Sequence, residues 1–215
     1  MVRTRKELAI YLSKLKVFEH PHIQLEQYPS DGDVAAKLLW EASNNGNIEN
    51  QTIIDLGCGT GILGIGALLL GAKHIVFVDI DATVFSTLKE NIKILEEEYE
   101  FPGTFEFVNS DVSSFNKNLI APETDTENLI VTMNPPFGTK IKHADKKFLE
   151  CAKRLSNHIY SMHKTTTKVF LEAYARTNEF EMAWQETTSF PLKNVYKNDR
   201  KKIERIEVDL IYLRR

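Results

Sequence analysis

Apolar positions along the chain recur at two periods, and their alternation outlines the fold. Leu8, Leu12 and Leu15 return at helical spacing and predict a helix over 6–16, which His20-Pro21 breaks. Leu25 to Ser30 is too polar and too close to Pro29 for a strand. Val34, Leu38 and Leu39 predict a helix over 33–42, with Asp31 or Asp33 as its cap. A short apolar run, Thr52 to Leu56, precedes a helical stretch over 62–70. A second run, Ile75 to Val78, precedes a helix over 83–99 whose stripe is Val84, Leu88, Ile92 and Leu95. Thr104 to Val108 alternates as a short strand expected at a sheet edge, and Leu129 to Met133 follows a polar loop over 122–128. The remainder predicts a helix over 145–155, a strand over 158–162, a helix over 166–176 and two longer strands over 181–190 and 203–213. In the last, Ile206, Val208, Leu210 and Tyr212 alternate with Glu207 and Asp209, as in a half-exposed antiparallel strand. The fold class is therefore α/β: a mostly parallel sheet with a C-terminal antiparallel hairpin and helices on both faces. At 215 residues one domain is expected, with 1–50 as a helical extension and 51–215 as its core.

Chemistry gathers where two of these strands end. The run Thr52 to Leu56 enters Gly57-Cys58-Gly59-Thr60-Gly61, and Ile62 opens the next helix. Glycines there permit a tight turn and close backbone approach by a ligand, as in nucleotide-binding strand-loop-helix units. The spacing is not that of the dinucleotide fingerprint. With Asp55 in front, D-x-G-x-G-x-G resembles motif I of S-adenosylmethionine-dependent methyltransferases. Asp79, about twenty residues past the loop, suits hydrogen bonding to ribose hydroxyls. Asp111, just past the strand 104–108, could hold an adenine amino group or could cap its own loop.

The second strand end is Asn134-Pro135-Pro136-Phe137. Two prolines make a stiff loop, since neither supplies a backbone donor and each restricts the residue before it. An exocyclic amine on a nucleobase is a poor nucleophile because its lone pair is delocalised into the ring. The Asn134 side-chain oxygen and the Pro135 carbonyl are two acceptors that would draw such an amine out of conjugation. Phe137 offers a flat face for stacking the base.

Composition narrows the partners. A formal charge of -3 excludes an argument from overall basicity, so a nucleic acid must be met by local patches. Lys140, Lys142, Lys146 and Lys147 follow the proline loop, and Lys197, Lys201 and Lys202 precede the last strand. Phosphate contacts made there would position RNA without reading its sequence. Two cysteines, Cys58 and Cys151, make no disulfide framework, and six scattered histidines lack zinc-ligand spacing, so no metal is expected. The polar start, Met1 to Glu7, leads to the expectation of no secretory signal, and no apolar run in the sequence approaches membrane length. A cytoplasmic protein is expected.

The stretches LEQYP (25–29), DLGCGTG (55–61), VDID (78–81), MNPPFGTK (133–140), YSMHK (160–164) and IEVDLIYL (206–213) together resemble the methyltransferase-like protein 5 family and its archaeal relatives. The likeness covers essentially the whole chain. It implies a class I, Rossmann-like, S-adenosylmethionine-dependent methyltransferase fold and methylation of the N6 amine of an adenosine in small-subunit ribosomal RNA. It also implies a small zinc-binding activator of the Trm112 type. It adds Gln27 and Ser30 to Asp55, Gly57, Gly59, Thr60, Gly61, Ile62, Asp79 and Asp111 as residues around the cofactor. The chain departs mildly from the family pattern: Ser30 stands where threonine is usual, and Thr60 where the animal proteins have cysteine. Two other readings use the same residues. A protein glutamine N5-methyltransferase also needs an NPP loop, although with tyrosine at the position of Phe137 and with an extra N-terminal domain. A catalytically silent RNA-binding scaffold would keep the fold alone.

Overall fold

Among the residues described by the computed structural model, 2–100, 103–137, 144–192 and 204–215, seven strands form one sheet. They are β1 (Thr52–Leu56), β2 (His74–Asp79), β3 (Thr104–Asn109), β4 (Leu129–Met133), β5 (His158–Lys164), β6 (Glu181–Leu192) and β7 (Glu204–Arg214), in the order β3-β2-β1-β4-β5-β7-β6. β1 lies between β2 and β4, parallel to both, with Thr52 beside His74 and Leu129. Strand order therefore reverses beside β1, and a crevice is expected beyond the carboxyl ends of β1 and β4. β7 alone runs against its neighbours β5 and β6. The sheet is mostly parallel with one antiparallel strand, closed by a C-terminal hairpin, as the alternation predicts.

The central strands are buried on both faces, and their side chains divide between two cores. Ile53, Ile75, Phe77 and Ile130 join the side covered by α1 (Arg5–Ser13), α2 (Gly32–Asn44), α3 (Ile62–Leu69) and α4 (Val84–Glu96). Ile54, Val76, Val78 and Val131 join the side covered by α5 (Ala144–Leu155) and α6 (Lys168–Thr177). Alternate residues of one strand thus face opposite layers. Asp31 caps α2, its Oδ1 accepting from the N–H groups of Asp33 and Val34.

Two expected helix ends are corrected. α1 ends at Ser13 rather than at Lys16, because the Lys16 N–H leaves the helix path to donate to Asn91 Oδ1 at 2.7 Å. α4 ends at Glu96, and Tyr99 instead packs edge-on to Tyr11 and bonds Glu7. Between β3 and β4 a single 3-10 turn, Lys117–Leu119, accompanies Val112, Phe115 and Ile120, which cover the sheet there.

Candidate active site

The glycine loop is shaped by backbone geometry that only glycine adopts freely. Gly57, Gly59 and Gly61 have φ of +67, +52 and +91°. A Cβ on Gly57 would lie 2.7 Å from the Phe148 ring, and one on Gly59 would lie 2.8 Å from the Phe18 ring. Two aromatic side chains therefore rest directly on the loop, Phe148 from α5 and Phe18 from the segment before α2. Gly61 begins α3 and is covered by Leu88.

The loop floors a cavity at the crevice beside β1 and β4. Asp55, Gly57, Gly59, Thr60, Ile62, Asp79, Asp111, Gln27, Ser30, Asn134, Pro136 and Lys147 all line it, which brings together most of the residues expected from the sequence. Gly61, Pro135, Phe137 and Lys146 do not line it. Gly61 acts on the helix start, and Pro135 is buried. Phe137 meets Phe190 edge-on at 5.9 Å, beneath the Lys164 ammonium at 5.7 Å, so its ring is docked on the core side of the loop. Lys146 is exposed one residue from Lys147, a separation that turns side chains to different sides of a helix. Lys140, Lys142, Lys197, Lys201 and Lys202 fall outside the described residues. Among the described residues no three His, Cys, Asp or Glu side chains gather to hold a metal, and no helix is long and apolar enough to cross a membrane.

Four acidic side chains line this cavity, Glu26, Asp55, Asp79 and Asp111, and backbone donors fix the three aspartates. Asp55 is buried, accepts from Gly64 N–H at 2.9 Å, and is pushed up to about 7 by burial, with the Asp79 charge adding in the same direction. Asp79 takes Gly59 N–H on Oδ2 at 2.8 Å and Asp81 N–H on Oδ1 at 2.9 Å, yet burial still raises its pKa. Asp111 is held below the usual carboxylate range, chiefly by Ser113 N–H donating to Oδ1 at 2.7 Å and further by the nearby Lys147 charge. Asp111 thus both caps its loop and faces the cavity. Lys147 is the one cationic side chain among the described residues lining it.

A strap formed by residues 16–31 closes one side of the cavity. Asn91, fully buried in α4, accepts from Lys16 N–H at 2.7 Å and donates to the carbonyls of Lys16 at 3.0 Å and Thr60 at 2.9 Å. Gln27 takes His22 N–H on Oε1 at 2.7 Å and donates to Asp81 Oδ2 at 2.8 Å. Gln27 thus fastens the strap to the loop after β2 while lining the cavity. Ser30 Oγ accepts from Asn134 Nδ2 at 2.8 Å. Phe18, Tyr28, Ile80 and Phe148 also line the cavity and were not picked out by sequence reasoning. Asn91 carried a signal, being polar within the apolar stripe of its helix, three residues after Leu88.

Three features fit this cavity to S-adenosylmethionine. Its carboxylates suit a cationic ligand, its floor is a glycine loop flanked by the Phe18 and Phe148 rings, and Asn134 Oδ1 is buried at its wall with no hydrogen-bond partner among the described residues.

Comparison with known proteins agrees. The family called Conserved hypothetical protein 95 matches residues 29–188. The uncharacterized protein MJ0284 of Methanocaldococcus jannaschii is 35% identical over 95% of this chain and 91% of its own length. The rRNA N(6)-adenosine-methyltransferase METTL5 of Danio rerio is 36% identical over 96% of both chains. The crystal structure of PH1948 from Pyrococcus horikoshii superposes with a TM-score of 0.83, at 40% identity and 98% coverage of both chains. At 14% identity, magnesium protoporphyrin IX methyltransferase from Synechocystis, solved with bound S-adenosylmethionine, shares the fold at a TM-score of 0.61 over 100% of this chain and 99% of its own. With its class I methyltransferase fold, the chain belongs to the family of the METTL5 rRNA N(6)-adenosine-methyltransferases.

Proposed function

We infer that the chain methylates the N6 amine of an adenosine in RNA, using S-adenosylmethionine, that its substrate is small-subunit ribosomal RNA, and that a small zinc-binding Trm112-type protein is its partner. The observation that carries the reaction is the Asn134 carbonyl oxygen, buried, without a donor among the described residues, at the wall of a cavity lined by the glycine loop and three aspartates. A buried acceptor left empty costs about 1–3 kcal/mol, so its persistence calls for a ligand N–H.

When bound, S-adenosylmethionine supplies an electrophilic methyl group on a cationic sulfur. Asp79 would hold the ribose hydroxyls and Asp111 the adenine amino group, each through lone pairs its own loop leaves over, and the carboxylates of Asp79 and Asp111 favour the positive charge. Asn134 Oδ1 would accept an N–H of the target amine, leaving the nitrogen lone pair free, and Pro136 walls the same end. The target base must be unpaired or flipped out to reach this depth. Lys147 at the cavity and exposed Lys146 beside it would contact phosphate.

Labelled-methyl transfer to ribosomal RNA lacking the modification, followed by nucleoside analysis, tests this. The native chain should place label in N6-methyladenosine. Asn134→Ala should lower turnover by roughly 10²–10³-fold, the scale of losing one placed polar group at a reacting centre, while cofactor affinity is kept. Near-normal turnover in that variant would remove Asn134 from the chemistry, and label entering protein would favour the glutamine methyltransferase.

A further inference from the structure

The Asn134 side chain faces two surroundings. Its Nδ2 donates to Ser30 Oγ at 2.8 Å, whereas its Oδ1 is buried and has no partner among the described residues. Both residues line the cavity. A primary amide turned by half a revolution presents nitrogen where it had presented oxygen, at nearly the same shape. Which end meets the target amine decides whether that amine finds an acceptor or another donor.

We propose that Ser30 is a positioning residue for methyl transfer: it takes the Nδ2 of Asn134 and thereby keeps the amide oxygen turned toward the acceptor amine. The proposal rests on the reading of Asn134 given above. A hydroxyl can donate or accept, so Ser30 does not choose the rotamer by itself. The incoming amine donates to Oδ1 and selects that end, and Ser30 supplies the acceptor that the other end then requires. Without the hydroxyl, a part-buried N–H would lose its partner and the amide would be free to rotate.

Ser30 belongs to the strap, not to the sheet that carries Asn134, and the two residues are separated by 104 positions. The strap is fastened by Gln27 to Asp81, by Lys16 to Asn91, and by Phe18 lying on Gly59. The amine-accepting end of the site is therefore complete only when the strap lies across the cavity. Cofactor enclosure and the orientation of Asn134 become one event.

Ser30→Thr and Ser30→Val test the assignment, since they match each other in shape and differ in the hydroxyl. With the full chain, methyl transfer to ribosomal RNA gives kcat and the KM for RNA, and calorimetric titration gives the affinity for S-adenosylmethionine. Ser30→Val should lose roughly 10- to 100-fold in kcat, the scale of a small misplacement at a reacting centre, while Ser30→Thr retains most of it. Thermal unfolding reports that both variants fold, and in Ser30→Val the loss in cofactor affinity should be much smaller than the loss in kcat. Equal kcat in the two variants, or a loss in cofactor affinity comparable to the loss in kcat, overturns the proposal. Should both variants fail to bind cofactor, Ser30→Ala paired with Asn134→Ala decides: a double variant no slower than Asn134→Ala supports action through Asn134, and a slower one overturns it. An active Asn134→Ala would defeat the underlying reading instead. An inactive Asn134→Ala beside a fully active Ser30→Val defeats the role of Ser30 alone.

Discussion

Asp55 departs furthest from the environment a carboxylate prefers. It lies buried at the end of β1 with one backbone donor, Gly64 N–H, and a second carboxylate nearby, and burial pushes it up to about 7 from an ordinary 3.8. Between those values the unfolded chain releases a proton that the folded chain keeps. Stability contributed through Asp55 is therefore complete below pH 3.8, falls as pH rises toward 7, and is flat above. Asp55→Asn keeps an oxygen for Gly64 and removes the titration, so the variant should gain on the native protein by on the order of 4 kcal/mol between pH 4 and 7. Urea unfolding at several pH values measures the gap, and parallel curves would show that Asp55 is ionised in the fold. At this scale the glycine loop, Asp79 and Asn134 were legible because their chemistry restricts residue type. The bond from Asn134 to Ser30 was not, because periodicity reports which face a residue occupies and says nothing of a partner 104 positions away. Phe137, expected to stack the base from its place in the proline loop, also meets Phe190 edge-on, a contact that no local pattern announces.

The strand-loop-helix element of β1 and α3 works through close approach. Gly57 holds a φ of +67°, and Phe148 occupies the space where a side chain would begin. Gly57→Ala should cost about 1–2 kcal/mol in backbone conformation, lowering Tm by roughly 2–8 °C for a chain of this size. It should weaken cofactor binding more than Tm suggests, since the displaced Phe148 ring forms part of the cavity wall. Thermal unfolding with and without S-adenosylmethionine separates the two effects, and an undiminished ligand-induced shift would remove Phe148 from the cofactor wall. The strands were readable in sequence because buried β-branched runs stop at glycine or proline. Helix ends were less so. Lys16 and Tyr99 satisfy their polar atoms through Asn91 and Glu7, contacts that no local pattern announces. The connection from β3 to β4 buries Val112, Phe115 and Ile120 without forming an α-helix, so it reads as a loop in sequence yet serves as part of the core.

At the scale of the whole molecule, the two sheet edges differ. β6 ends one side, and β3 ends the other with six residues paired to β2 alone. Its outward backbone donors and acceptors are a template for another strand. On one face of β3 the side chains are aromatic and only half-buried: Phe105 and Phe107 form a group with Phe77 and Phe85, and the Lys89 ammonium lies 5.1 Å from the Phe107 ring. An edge with open hydrogen bonds and half-covered aromatic rings is suited to strand addition, in which main-chain bonds give affinity and side-chain pockets give specificity. Because β3 leads directly into Ser110 and Asp111 at the cavity, a partner held there would steady the residues proposed for the cofactor's adenine. The edge is accordingly proposed as the seat of the Trm112-type activator. Hydrogen exchange on the chain with and without that protein should show slowed exchange at backbone amides 104–109, reaching to Ser113, whose N–H bonds Asp111. Protection confined to the β6 side would place the partner elsewhere and leave Asp111 independent of it. A charge introduced on the edge, Phe105→Glu, should weaken the pair while leaving S-adenosylmethionine binding by the isolated chain intact, because Phe105 does not line the cavity.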